Sequence, residues 1–340
     1  MSKVTQLLSC IMCLALGSCA AISGRPSTGS QEDIGEADRA AMTRIGEKVQ
    51  GKIVWSSSRA GNHNLVVMNP DGSNIKMITQ GETVDWFSRF SPDGKRILFC
   101  RSKKGWVYER DANRHFKWNL FTIDPEGKDL KMVAKDACWG TWVGENKIMF
   151  NRGTQVFEKD LGGDEETLIL DSKKEESLGG ADLQQPQLSP DGKCLAITLR
   201  GARRATGLFD LENKSWVPTG QGCQINWHPD GKRIYWINPS GNGGSEAFSI
   251  PVSGCKPAKE YEYEEMKFID IPGRQSHEYF PQMTSDGKWL VWAATRRGHD
   301  HDVADYDIFI WEIGRPAEEA TRLTFHSGND RWPHLFLTGN

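Results

Sequence analysis

The sequence lacks the long apolar segments and the one-sided charge that mark two large classes of protein. It contains no run of 18 apolar residues and its mean hydropathy is −0.55, which excludes a polytopic membrane protein. Among 340 residues, 42 Lys and Arg nearly balance 45 Asp and Glu, giving a net charge of −3. We therefore expect no nucleic-acid partner, because there is no basic surplus to neutralise phosphates.

Sequence motifs of nucleophilic and phosphate chemistry are also missing. The chain has no Gly-x-Ser-x-Gly, no P-loop and no His-Glu-x-x-His. No cofactor is predicted. A catalytic pair assembled from distant segments would escape such a search and stays open.

The cysteines fit neither a disulfide framework nor a zinc site. Of eight, two lie in the N-terminal leader and a third, Cys19, follows it. The remaining number is odd and shows no Cys-x-x-Cys spacing, so buried free thiols are expected. One disulfide is possible in an oxidising compartment, but the sequence selects no pair. The five are Cys100, Cys138, Cys194, Cys223 and Cys255.

The N-terminus has the layout of an export signal. A lysine precedes a short apolar stretch that is too short to span a bilayer, and residues 1–18 are predicted to be a signal peptide. The ending Leu-Gly-Ser-Cys resembles the bacterial lipobox, which implies lipidation of Cys19 and a membrane anchor. The alternative is an ordinary signal peptide cut near Ala20 or Ala21. In the usual sorting pattern of such lipoproteins, the residue after the lipidated cysteine selects the membrane. Because this residue is Ala20 and not Asp, the resemblance favours the outer membrane.

Residues 19–50 are rich in small and polar residues. They are predicted to form a lipid-anchored flexible tether, with one short helix at about Glu36–Lys48.

A repeated phrase runs through the rest of the chain. The motif Phe-Ser-Pro-Asp-Gly-Lys at 90–95 recurs in related form at 188–193, 227–232 and 283–288. A degenerate copy lies at 142–147. Pro-Asp-Gly is turn chemistry, and apolar or β-branched segments flank it, so each copy predicts a β-hairpin. Two further short strands follow in most copies, which is typical of a propeller blade.

The chain ends complete the pattern. The first unit begins directly with its second strand, near residue 52, and the C-terminus holds a spare first strand at 331–336. Pairing the two would remove exposed strand edges. The prediction is one all-β, six-bladed β-propeller over residues 51–340, closed by the C-terminal strand pairing with the first blade.

The turn phrase, together with the closing Leu-Thr-Phe-His and Asp-Arg-Trp-Pro at 323–326 and 330–333, resembles the TolB-type six-bladed β-propeller family. The resemblance covers about residues 51–337. It implies the propeller part of that family, carried as a bacterial lipoprotein.

Strand one of each predicted blade carries a polar residue four positions before the turn. Since strand one is innermost and side chains alternate faces, these residues are predicted to line a central channel. A water-filled tunnel of satisfied polar groups is the alternative. The six are Arg89, Thr141, Gln187, Asn226, Gln282 and His334.

Polar and aromatic residues near the start of strand one are predicted to converge at one mouth of the channel. Such a mixture suits a peptide or sugar ligand that offers both donors and acceptors; packing between blades is the alternative, especially for Phe87 and Phe280. The polar candidates are Asp85, Glu278 and Asp330, with His326 and His277 at the rim. The others are Phe87, Trp139, Gln185, Gln224, Phe280 and Trp332.

A dense His/Asp cluster follows residue 298. It could bind a divalent ion, but it matches no ligand motif, and a solvated hairpin tip is favoured; no metal site is predicted. The cluster is His299, Asp300, His301, Asp302, Asp305 and Asp307.

These features predict a binding scaffold in the bacterial envelope that recognises a protein segment or a glycan. The alternative is a carbohydrate-active enzyme, because some propeller relatives with similar turns are metal-dependent lyases of acidic oligosaccharides. His277, His326 and His334 are the candidates for that alternative, and no catalytic residue is assigned.

Overall fold

The computed structural model describes residues 28–339, apart from 202–203, 240–243, 272–276, 296–297 and 299. The predicted signal peptide and Cys19 lie outside the described residues. Within them, no helix is long and apolar enough to cross a membrane.

The chain forms six successive units of antiparallel strands; units one to four are separate four-stranded sheets, and units five and six belong to one eight-stranded sheet through a parallel bridge between Ser245 and His277. Units one to three contain β1 (Gly51–Ser57), β2 (Asn64–Met68) and β3 (Lys76–Met77); β4 (Asp85–Phe90), β5 (Ile97–Ser102), β6 (Trp118–Ile123) and β7 (Lys131–Lys135); β8 (Cys138–Trp142), β9 (Lys147–Arg152), β10 (Gln155–Asp160) and β11 (Glu166–Asp171).

Units four to six follow in the same order, and one strand from the chain end is added to unit one. They contain β12 (Asp182–Leu188), β13 (Cys194–Arg200), β14 (Ala205–Asp210) and β15 (Ser215–Gly220); β16 (Cys223–Trp227), β17 (Arg233–Pro239), β18 (Ser245–Pro251) and β19 (Lys267–Ile269); β20 (His277–Met283), β21 (Trp289–Thr295), β22 (Tyr306–Glu312) and β23 (Thr321–Arg322). The added strand is β24 (Asp330–Leu337).

The predicted turns join the first two strands of the units. In unit two, Ser91 Oγ donates to Asp93 Oδ1 at 2.6 Å, and Gly94 has a φ of 69°, which glycine adopts without strain. The hydroxyl-to-carboxylate bond recurs at Ser189–Asp191 and Thr284–Asp286. The repeated phrase is therefore a hairpin turn, as predicted.

The C-terminal strand supplies the missing strand of unit one. β24 pairs antiparallel with β1, with Gly51 opposite Leu337 and Val54 opposite His334. It also contacts β20, β21 and β22 of unit six. The two ends of the repeat are thus held together.

The segment before the sheets is attached to them. Helix α1 (Glu36–Lys48) has the predicted bounds, and its Ile45 is buried in the main apolar cluster. Glu32 forms an ion pair with Arg322 at 2.6 Å, and Gln31 bridges to His326. The prediction of a flexible tether is therefore wrong for residues 28–50, because the apolar side of the helix buries surface against unit six.

One disulfide joins unit four to the loop after β18. It links Cys194 and Cys255, whose Cα atoms are 5.6 Å apart. Cys100, Cys138 and Cys223 are buried free thiols, as the sequence predicted for most cysteines.

A second, four-residue helix, α2 (Tyr263–Met266), precedes β19.

Buried apolar side chains fill the spaces between the sheets, and tryptophan dominates them. The almost fully buried ones are Trp55, Trp86, Trp118, Trp139, Trp236, Trp292 and Trp332.

Candidate functional site

A β-bulge recurs in the first strand of every unit. At each one the register shifts, and a residue other than glycine takes a left-handed φ between 54° and 60°. This backbone costs about 1–2 kcal/mol per residue, and a bulge redirects the side chain. The six residues are Phe87, Trp139, Gln185, Gln224, Phe280 and Trp332.

Four of these side chains form an aromatic plug, which we define as Phe87, Trp139, Phe280 and Trp332. Ring centroids are 4.0 Å apart for Phe280 and Trp332, and 5.1 Å for Phe87 and Trp139. Trp332 also lies 5.3 Å from Phe87 and 5.5 Å from Trp139. Each ring is at least 98% buried, and this burial offsets the backbone strain.

The other two bulge residues are glutamines. Gln224 Oε1 accepts a hydrogen bond of 2.6 Å from the backbone N–H of Phe280. The Gln185 amide is buried, and neither its nitrogen nor its oxygen has a partner in the described part of the chain. Gln185 thus places an unsatisfied amide at one of the six bulges.

The six polar residues predicted for the channel occupy one register position, two residues beyond the bulge residues. We call them the inner polar set: Arg89, Thr141, Gln187, Asn226, Gln282 and His334.

Contacts join this set between neighbouring units. Thr141 donates to Gln187 Oε1 at 3.2 Å, and the Phe90 N–H donates to His334 Nδ1 at 3.2 Å. Asn226 and Gln282 use amide hydrogens locally, on the carbonyls of Gln224 and Pro281. The six residues therefore share one strand position, and their lining of a channel stays a prediction.

The charged members of the inner polar set sit in a dry environment. Burial lowers the pKa of Arg89 to about 9. Burial, with a smaller contribution from the Arg89 charge, lowers the pKa of His334 to about 3, so this imidazole is neutral at pH 7. Arg89 is the cation of the set.

A pocket of about 800 Å³, which we call the loop-side pocket, opens where loops of several units meet. The loops join second to third strands in units two, four, five and six. Its wall carries arginines, carboxylates, a tyrosine and a histidine. Among the lining residues are Glu109, Arg200, Arg204, Tyr279, Asp300 and Asp302.

Beside the pocket, a buried arginine ties two loops together. Arg331 is fully buried, lies 3.8 Å from Glu109 and 3.9 Å from Asp302, and donates to the carbonyl of His301. The Asp302 carboxylate accepts from the Glu109 backbone N–H at 3.1 Å. Burial raises the pKa of Asp302, which the charge of Arg331 opposes. This ion cluster fixes the unit-two loop against the unit-six loop.

Comparison with known proteins gives one partial sequence match and several structural matches. No family model matches the chain. The Tol-Pal system protein TolB of Gluconobacter oxydans is 37% identical over 107 residues, which are 30% of this chain and 20% of that protein.

Two solved structures share the architecture. TolB from Acinetobacter baumannii aligns with a TM-score of 0.58 at 15% identity, over 84% of this chain and 66% of that one. A putative TolB from Agrobacterium tumefaciens aligns with 0.54 at 13% identity, over 85% and 99%. The chain has a TolB-type β-propeller fold. The curated relative is matched over one fifth of its length, so the TolB-type likeness concerns the fold.

In this TolB-type propeller, the predicted mouth residues do not form one open site. The aromatic residues are buried in the plug, so the packing alternative describes them. Asp85 is fully buried in a two-bond ion pair with Arg101, at 2.7 Å each, and Asp330 pairs with Arg59 at 3.0 Å. Both carboxylates are thus paired with arginines from a neighbouring strand or loop. The sequence did not show these ion pairs.

Glu278 is buried without a described salt bridge. Its Oε1 accepts from the Ile271 N–H at 3.2 Å, and Oε2 has no partner among the described residues. Burial raises its pKa to about 8. A raised pKa can mark a functional acid, but Glu278 is buried and does not line the pocket described above.

The three histidines of the enzyme alternative have different neighbours. His277 lies at the junction of β18 and β20, His326 bridges to the N-terminal segment, and His334 belongs to the inner polar set. Burial lowers the pKa of His326, which Asp330 opposes. Over the described ranges, no group of three or more His, Cys, Asp or Glu side chains could hold a metal.

In the predicted solvated hairpin tip, Asp300 and Asp305 are exposed as predicted, whereas the other described members of the cluster turn inward. Asp302 and Asp307 are buried, and the His301 ring packs 4.3 Å from Tyr279. His299 lies outside the described residues. The loop folds inward because Arg331, in the Asp-Arg-Trp-Pro motif, offers a buried cation that the acidic loop can neutralise. That motif was the available signal, and the role of Arg331 was missed.

Proposed function

We propose that this protein is a binding scaffold of the bacterial envelope that recognises a protein segment at the loop-side pocket. The curated relative is named as a protein of the Tol-Pal system, and that name supports a role in binding envelope proteins. A glycan is the second ligand class predicted from the sequence; the charged wall of the pocket favours a protein segment.

The proposal takes the six units as blades of one closed ring. Contacts between first strands support this: His334 with Phe90, Arg89 with Trp142, and Thr141 with Gln187 link units one to four. Further contacts link units four to six and return to the C-terminal strand in unit one. They are Trp227 with Gln187, Phe280 with Gln224, and Phe280 with Trp332.

The aromatic plug is the observation on which the proposed site rests. Four buried rings fill the centre, so a ligand that touches several blades cannot pass through and must bind on one face. On the loop side, the 800 Å³ pocket combines arginines, carboxylates and Tyr279. Interfaces commonly anchor on arginine and tyrosine, with charged groups selecting the partner.

The test is capture of envelope components by the purified protein, comparing wild type with Arg204→Glu. Arg204 is exposed at the pocket, so charge reversal should reduce the captured partner at least fivefold. The matched control is Lys95→Glu, an equally large charge change at an exposed turn on the other side. Equal capture by wild type and Arg204→Glu would contradict the pocket assignment.

The location is part of the proposal. Residues 1–18 act as a lipoprotein signal peptide, and Cys19 carries the lipid that holds residues 19–27 and the propeller at the membrane, with the outer membrane favoured. Cys19→Ser should release the protein into the soluble fraction. Mass spectrometry of the mature wild type should show acyl mass on Cys19; its absence would refute the anchor.

A further inference from the structure

We propose that the inner polar set binds a single oxyanion through Arg89, on the turn side of the aromatic plug. The ligand group would be a carboxylate, phosphate or sulfate. The inference rests on the proposed closed ring, but it concerns the face opposite the loop-side pocket.

Arg89 is a buried cation with spare donors. Its side chain is 95% buried, and Nη1 donates to the Ser88 carbonyl at 2.7 Å. Nε and Nη2 have no hydrogen-bond partner in the described part of the chain, yet they are not among the atoms sealed from solvent. A guanidinium offers paired donors, which suit an oxyanion held by two parallel bonds.

No carboxylate in the described ranges neutralises this charge. Arg89 stacks on Phe87, with the guanidinium carbon 4.1 Å from the ring centroid. The ionisable groups whose charge would favour it are Tyr235 and Cys100, and burial raises the pKa of both to about 12. Both are neutral at pH 7, so the positive charge is uncompensated.

The carboxylates predicted near the start of the first strands do not neutralise Arg89. Asp85 is bound to Arg101 and Asp330 to Arg59. These two carboxylates are therefore engaged elsewhere and do not face Arg89 as free acids. A cation among neutral groups remains.

The other five members of the inner polar set, at the same register position, are neutral hydrogen-bonding groups. They are the Thr141 hydroxyl, the Gln187, Asn226 and Gln282 amides, and the His334 imidazole, whose low pKa keeps it uncharged. Rotated amides can donate to an anion without adding charge. Burying a cation without a counter-charge costs free energy. A bound anion would offset that cost.

The experiment is isothermal titration of the wild-type protein with inorganic phosphate and, separately, acetate, at constant low ionic strength set with chloride. The expected result is one site per chain for at least one of the two oxyanions. The probe that binds more tightly identifies the source, a phosphate-type or a carboxylate-type group. Arg89→Met should weaken binding at least tenfold, and the control Arg96→Met on the turn face should not.

Unchanged binding by Arg89→Met, or no binding of either probe by wild type, would overturn the site. If Arg89→Met does not fold, wild-type crystals soaked in selenate decide: an anomalous peak beside Arg89 supports the site, and its absence refutes it. Envelope capture reports on the loop-side pocket alone, so Arg89→Met that still captures a partner but loses the oxyanion separates the two proposals.

Discussion

Phe280 and Trp332 pack with ring centroids 4.0 Å apart, which joins the first strand of unit six to the C-terminal strand in unit one. Both residues have left-handed backbones, with φ of 60° and 59°. The contact makes the last residues of the chain part of the central packing.

Removing residues 330–340 should therefore abolish folding. The deletion takes away β24, so β1 loses one of its two sheet partners and Phe280 loses its ring contact with Trp332. Circular dichroism should show no cooperative thermal transition. A control that removes only residues 338–340 should unfold like wild type, and a full-length-like transition in the longer deletion would refute the structural role of β24.

The plug should carry much of the stability. Phe280→Ala should lower the free energy of unfolding by about 3–5 kcal/mol, the usual cost of emptying a buried aromatic site. Phe116→Ala is the matched control, because that ring is 55% exposed. Urea unfolding measures both; similar small effects would show that the plug contributes little.

Glu278 should make stability fall as pH rises. Its folded pKa of about 8 exceeds the ordinary value of 4.5, so the protonated folded form gives stability that is full below pH 4.5 and is lost through pH 8. Each pKa unit corresponds to about 1.4 kcal/mol. The free energy of unfolding of Glu278→Gln, relative to that of wild type, should therefore rise by several kcal/mol between pH 5 and pH 9.

The control for that series is Glu165→Gln, which changes an exposed carboxylate. Its difference from wild type should stay constant across the same pH range. Parallel stability curves for Glu278→Gln and wild type would show that Glu278 titrates normally.

The disulfide should stabilise the contact of units four and five. Replacing Cys194 and Cys255 together by Ser should cost about 2–4 kcal/mol, since the bond closes a loop with a sequence separation of 61. Urea unfolding of oxidised wild type and the double variant measures it. Wild type treated with reductant should match the variant; no difference between oxidised and reduced protein would contradict the bond.

The sequence predicted what local chemistry controls. Pro-Asp-Gly turns fix hairpins within a few residues, so the repeat and the C-terminal strand could be placed. The bounds of α1 were predicted, but its docking was not, because the helix packs on β23 of unit six, at the far end of the repeat.

The site was less predictable because it depends on contacts between units. Left-handed residues such as Trp139 and Gln185 run against local preference, and only their common register with Phe280 signals the bulge. Asp85 pairs with Arg101 of the neighbouring strand, and the burial of Asp302 needs Arg331 from the C-terminal strand, which is added to unit one. Sequence placed the candidates on strands but not their partners.

The most direct test of the binding-scaffold account is site-specific photo-crosslinking in the envelope. A benzoylphenylalanine at position 279, inside the loop-side pocket, is compared with one at 168, an exposed position on the fourth strand of unit three. The account predicts a discrete adduct with one envelope component at 279 and none at 168. No adduct at 279, or equal adducts at both positions, would contradict it.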